Sequence, residues 1–287
     1  MTISANATVL DASPAGRPTP VARPLPTIHM FWHGAPLSRI ERLAIASFVK
    51  NGHRLDLYVY DEPAGIPAGA RVMDAGEILP RGSLFRHKRT QSLAAFADWF
   101  RYRLLFERGG IWVDTDMVCL RPFDYEIREI YAWQDEKYIN NAVLGLPAGH
   151  ALAEWLAACC ENPNQMRPYD ALGVRFRKLR RRFLRGDQRN DVGWGENGPK
   201  ALTRAARHLG YVDKALPSWH FYPVGPDHFR QLFESPAQGK AVEFTASRAV
   251  HLWNHLLEES VRFNKDARFP ADSPFEKLCE RYLNDTA

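Results

Sequence analysis

The stretch ADWFRYRLLFERGGIWVDTDM, residues 97–117, runs from a helix through a break into a strand that ends on two carboxylates. The helix is expected over residues 90–108 and is stopped by Gly109-Gly110, which supply the positive backbone angles that helix ends favour. Residues 111–113, Ile-Trp-Val, then read as a short buried strand, and Asp114 and Asp116 follow at i and i+2, where both can face one site. A hard cation such as Mn²⁺ or Mg²⁺ wants oxygen ligands, often shared between one or two carboxylates and substrate phosphates. On the helix, Asp98 and Arg101 stand three apart on one face, either as a structural ion pair or as a pair poised over a ribose or phosphate. A lone D-x-D arises by chance about once in a chain of this composition. The ordinary alternative is an exposed turn with two solvated Asp; the apolar strand and the Gly-Gly break give this pair the setting of an active-site edge.

Outward from this centre, residues 27–32 form a strand, Pro36 and Ser38 open a helix through Lys50, and residues 54–60 return as a strand, a β-α-β opening that implies a parallel sheet. Further strands are expected at residues 130–133, 142–146 and 249–253, and helices at 151–161, 172–185, 199–209 and 274–283. With no internal repeat, the reading is a flexible Pro/Ala-rich tail over 1–25 followed by a single α/β domain over 26–287 with a mixed, mainly parallel central sheet flanked by helices. A hydrophobic fraction of 45% and a charged fraction of 25% exclude global disorder. The net charge of +5 suits local attraction to anions rather than a nucleic-acid coat. Four cysteines without metal-site spacing fit a reducing, cytoplasmic setting, and no apolar run is long enough to span a bilayer.

The 97–117 stretch closely resembles the signature of the DXD sugar-binding glycosyltransferases, family 32 and its relatives, which include α-1,4-galactosyltransferase, yeast initiating mannosyltransferase and clostridial glucosylating toxin catalytic domains. Asp98, Arg101, Gly109, Gly110, Trp112, Asp114 and Asp116 match it in order. The resemblance implies a GT-A-type nucleotide-diphospho-sugar transferase fold and a retaining, metal-dependent transfer of a hexose or N-acetylhexosamine. It implies a bacterial enzyme of polysaccharide or lipopolysaccharide biosynthesis, with a UDP-sugar donor favoured, a GDP-sugar next, and a glycan or glycolipid acceptor. In the similar opening IHMFWHGAPLS, Phe31 and Trp32 become nucleobase contacts, although a core aromatic pair weighs equally for Phe31. YINNAVLGLPAGH makes Asn140 and Asn141 sugar contacts, and AVHLWN makes His251 a metal ligand beside Asp114 and Asp116, with Trp253 a donor contact. His251 is equally a satisfied core residue. GWGENGPKALT is similar too, but Asn197 stands where a Thr is usual. For a covalent mechanism the candidate carboxylates are Glu196 and Asp135, each otherwise a loop acid; front-face displacement needs neither.

Residues 175–189 hold seven Arg and one Lys against one Asp, while Leu172, Phe176, Leu179 and Phe183 share a helical stripe. This is either a docked helix with a solvated basic face, a peripheral contact with the anionic inner membrane face, or a site for an acidic glycan. Two alternatives to a glycan-directed enzyme remain at this level, a toxin-like protein glycosyltransferase and a non-catalytic basic protein that binds membranes or polyanions.

Overall fold

A computed structural model describes residues 24–283 apart from 127, 187, 194, 237–241, 243 and 260–263; residues 1–23 of the expected tail lie outside the described residues. Strand β1 (Ile28–Trp32) is followed by helix α1 (Arg39–Lys50) and strand β2 (Leu55–Val59). The helix starts where it does because Ser38 and Glu41 close a capping box, each side chain meeting the other's backbone amide. Ile40, Leu43, Ala44 and Phe48 recur at helical spacing and are buried. Strand β3 (Ala70–Asp74) lies at the sheet edge, half exposed, so its pattern lacks the apolar alternation that betrays the other strands.

Helix α2 (Ala94–Arg108) begins later than the sequence suggests. Thr90 instead turns back to His87, its amide and hydroxyl both meeting Nδ1, and Gln91 takes a φ of 56°. The helix ends on Gly109, at φ 65°, and a Cβ there would stand 2.6 Å from the Ala148 amide nitrogen. Strand β4 (Gly110–Val113) follows at once, and then β5 (Met117–Cys119), β6 (Ile130–Trp133) and β7 (Ile139–Leu146). Helices α3 (Ala151–Glu161), α4 (Leu172–Arg185) and α5 (Pro199–His208), strand β8 (Ala249–His251), and helices α6 (Asn254–Glu259) and α7 (Pro274–Leu283) complete the order.

Six strands form one sheet in the order β3-β2-β1-β4-β7-β6, parallel through β4 and antiparallel beyond it. This is the mixed, mainly parallel sheet flanked by helices that the sequence implied. Alternate residues serve opposite faces of the sheet. Phe31, Trp112 and Leu144 pack with α2, α3 and α5 on one side; Ile28, Met30, Ile111 and Val113 pack with α1 on the other. Fully burying one such side chain contributes roughly 1.5–3 kcal/mol, so β4 is anchored from both faces.

Strand β5 leaves the main sheet and pairs antiparallel with β8, Met117 opposite His251. The chain leaves β1 toward β2 on one side, and β4 leads to β7 on the other. The strand order therefore reverses between β1 and β4, and their carboxyl ends open a crevice where ligands of α/β folds settle.

Candidate active site

That crevice is a cleft of about 910 Å³ lined, among others, by Trp32, Asp98, Arg101, Asp114, Asp116 and Trp253. Its volume is ample for a nucleotide sugar. Strand β4 delivers Asp114, whose backbone amide bonds the Ala142 carbonyl at 2.8 Å, so the backbone is tied to β7 as the strand ends. Asp114 Oδ1 accepts from Trp112 Nε1 at 2.6 Å and lies 2.9 Å from Arg101 Nη2. Arg101 is itself buried, sits 4.9 Å over the Trp112 ring, donates to the Asn141 carbonyl, and stands 3.5 Å from Asp98. One guanidinium thus holds two carboxylates and the antiparallel strand together. Such a cation tolerates burial because its two Nη groups meet carboxylate and carbonyl oxygens and its plane lies over a π face, although Nε is buried without a partner.

Asp116 is held from the opposite direction. His251 Nε2 lies 3.1 Å from Asp116 Oδ2, and the Asn254 amide donates to the same oxygen at 2.9 Å. The second bond depends on Trp253, buried in the left-handed region at φ 55° with its indole NH on the Val224 carbonyl at 2.8 Å. A bulky residue is rarely found there, and here the conformation swings the next amide onto the carboxylate. Burial alone would raise the Asp116 carboxyl, but the charge and hydrogen bond of His251, with the Asn254 amide, bring it down to about 2. Asp114 moves the other way, raised by burial against the pull of Arg101, with the Asp116 charge adding to the rise.

The hydrogen bonds fall on Oδ1 of Asp114 and Oδ2 of Asp116, so the two carboxylates present one further oxygen each to the cleft they line. Among the described residues no three His, Cys, Asp or Glu side chains form a metal cage of their own. Two carboxylates at the edge of a cleft fit a hard cation that takes its remaining ligands from a diphosphate and water. His251, as placed, orients Asp116 through Nε2, and its Nδ1 is buried without a partner.

The other expected site residues divide clearly. Asp98 is buried and accepts from Asn141 Nδ2 at 2.7 Å, and the same amide reaches Tyr102 Oη at 3.0 Å. Burial lifts the Asp98 carboxyl to about 6, opposed by Arg101 and the Asn141 bond. Tyr102 donates to the backbone carbonyl of Asn197 at 2.8 Å, so the side chain that departs from the family pattern there is not needed for this bond. Asn140 lines the cleft and bonds Gln134 at 2.8 Å. Phe31 is both things at once: it stacks on Phe100 with centroids 4.6 Å apart in the core, yet borders the cleft beside Trp32. Glu196 also lines the cleft, but it is clasped bidentately by Arg181 at 2.8 and 2.9 Å and by the Gly193 amide. Against the upward push of burial, these partners hold it below the usual carboxylate range. Asp135 stands apart: it is exposed, does not line the cleft, and caps the 135–138 turn by accepting from the Lys137 and Tyr138 amides. The part played by Asn254 and by the Trp253 backbone was missed from sequence, because an amide donor and a positive φ leave no residue-type signature.

Residues 74–137 match the family profile described as a glycosyltransferase sugar-binding region containing a DXD motif. Residues 187–284 match a second, the alpha 1,4-glycosyltransferase conserved region. Both matched regions are glycosyltransferase regions, and the first holds Asp98, Arg101, Asp114 and Asp116. Human alpha-1,4-N-acetylglucosaminyltransferase is 24% identical to this chain over 202 residues, which cover 66% of the chain and 51% of the human protein. Lactosylceramide 4-alpha-galactosyltransferase of Gorilla gorilla gorilla is 25% identical over 189 residues, 61% of this chain and 49% of that one. Initiation-specific alpha-1,6-mannosyltransferase of Candida albicans is 37% identical over 59 residues, 21% of this chain and 15% of its own length. The chain spans about half the length of the first two relatives.

Proposed function

We propose that this glycosyltransferase moves a hexose or N-acetylhexosamine from a nucleoside diphosphate sugar, with retention, to a glycan or glycolipid. A UDP-sugar is the favoured donor and a GDP-sugar the second. The observation that carries the reading is the opposed bracing of two carboxylates at the switch point of the sheet: Arg101 and Trp112 on Asp114, His251 and Asn254 on Asp116. Asp114 and Asp116 would hold Mn²⁺ or Mg²⁺, which when bound supplies positive charge to the departing diphosphate. Arg101, fixed among Asp98, Asp114 and Trp112, aims the first carboxylate and opposes the upward push of burial on it. The low position of the Asp116 carboxyl keeps the second ionised at any physiological pH. Trp32, half-buried at the end of β1, offers a flat face for a nucleobase.

Neither carboxylate nominated as a nucleophile suits that role here. Glu196 has both oxygens in a bidentate ion pair, and Asp135 lies outside the cleft lining. This favours front-face displacement, in which the acceptor oxygen attacks on the side the diphosphate leaves. The names of the relatives, which transfer N-acetylglucosamine or galactose in alpha linkage, support the sugar class and the acceptor class. The test is a donor screen: hydrolysis of UDP- and GDP-sugars with Mn²⁺ or Mg²⁺ and no acceptor. Slow turnover of one donor, lost on chelation and in Asp116→Asn, is expected. Absence of hydrolysis and of any nucleotide-induced shift in melting temperature would overturn the reading.

A further inference from the structure

Helix α4 is turned inside out. Its cationic residues Lys178 and Arg181 face the protein, Lys178 Nζ 2.8 Å from Asp170 and Arg181 in its bidentate pair with Glu196. Its apolar residues face solvent: Leu172, Phe176, Phe183 and Leu184 are 83%, 69%, 82% and 72% exposed, and Leu179 is 39% exposed. Of the readings the sequence left open, a stripe docked against the core is not the one the structure shows. Leu172, Phe176, Leu179 and Phe183 fall at i, i+4, i+7 and i+11, so they form one continuous ridge. Arg175 and Arg182 border it on one side and Arg180 on the other, with Arg177 further round the helix, all four exposed. Single exposed apolar residues are ordinary, but a ridge of this kind is not.

We propose that α4 is an interfacial helix that seats this protein on an anionic phospholipid surface. The ridge enters the headgroup and acyl boundary while the flanking arginines meet lipid phosphates, the arrangement expected of amphipathic helices that lie in the plane of a membrane. Charge complementarity selects this occupant. A soluble polyanion would use the arginines but leave the Leu/Phe ridge in water. A second copy of the chain would bring two arginine-bordered ridges together. Among the described residues no helix is long and apolar enough to cross a membrane, so the contact lies on the surface. The buried pairs with Asp170 and Glu196 fix the helix in this orientation, and Glu196 borders the cleft, so the bilayer would lie beside the cleft. Access to lipid-anchored acceptors is a consequence that rests on the proposed transfer reaction; surface binding itself does not.

The experiment is co-sedimentation of the full chain with vesicles of phosphatidylcholine alone or with a third of phosphatidylglycerol, without nucleotide or metal. Binding to the anionic vesicles is expected, reduced about tenfold or more in Arg177→Glu/Arg180→Glu and equally in Phe176→Ser/Phe183→Ser. Melting temperatures of both variants should match the parent, since the four positions are exposed. Failure to bind anionic vesicles, equal binding to phosphatidylcholine alone, or undiminished binding by the Phe variant would each overturn the proposal. So would a soluble dimer that the Phe variant dissolves, or capture by dextran sulfate, in the absence of vesicle binding. Because no donor is present, the result stands apart from the outcome of the donor screen.

Discussion

At the scale of single residues, the site is a set of carboxylates sorted by their partners. Asp114 and Asp116 sit two apart in sequence, yet one is gripped from α2 and the other from β8, so each is aimed independently. Replacing Asp116 by Asn should lower metal-dependent donor turnover by at least about a hundredfold, measured as kcat at saturating donor. Glu196→Gln separates the two mechanisms. Loss of a covalent nucleophile costs on the order of 10⁴-fold or more, whereas loss of a wall ion pair should cost less than about tenfold. His29 offers a test away from the cleft. Burial lowers its pKa from the ordinary 6.5 to about 4, against the pull of Asp56, so the folded chain refuses a proton that the unfolded chain accepts. Stability is therefore whole above about 6.5 and falls as the pH drops toward 4. A shift of this size is worth up to about 3 kcal/mol. In urea titrations across this range, His29→Gln should show a shallower loss than the parent.

At the scale of elements, local chemistry sets where helices begin and end, and tertiary contacts set which face they show. Ser38 was legible as the start of α1, and the structure adds Glu41 as its partner in a capping box; Ser38→Ala should cost about 1 kcal/mol in chemical denaturation. Gly109 was readable as a helix stop, but the closeness of the Ala148 amide, which makes any Cβ a clash with backbone, was not. Gly109→Ala should therefore lower the melting temperature by more than helix propensity predicts, roughly 2 kcal/mol or above. Helix α4 was placed correctly in sequence at Leu172–Arg185, with its facing left open. Amphipathic periodicity names two faces without saying which one meets the protein. Asp170 and Glu196, which draw Lys178 and Arg181 inward, settle it. Lys178→Ala, which strands a buried Asp170, should cost about 3–5 kcal/mol, while Phe183→Ser should stay within about 0.5 kcal/mol of the parent.

At the scale of the whole molecule, the strand order makes one crevice from segments far apart in the chain, and a donor bound there should stabilise all of them together. UDP or GDP with Mn²⁺ at about a hundred times its Kd should raise stability by about 2.7 kcal/mol, visible in thermal unfolding and absent in Asp116→Asn. The sequence by itself determined the α/β class, most element positions, the glycine break and the two aspartates, because these rest on periodicity, turn chemistry and residue type within short windows. Only the tertiary structure decided that β3 joins the sheet edge, that β8 returns His251 and the Asn254 amide to Asp116, that Asp135 lies away from the cleft while Glu196 is spent in an ion pair, and that α4 wears its apolar side outward. Each of these depends on which groups meet in space, and a hydrogen bond or ion pair, whether it joins Lys178 to Asp170 within one segment or His251 to Asp116 across the chain, leaves no trace in the spacing of either partner.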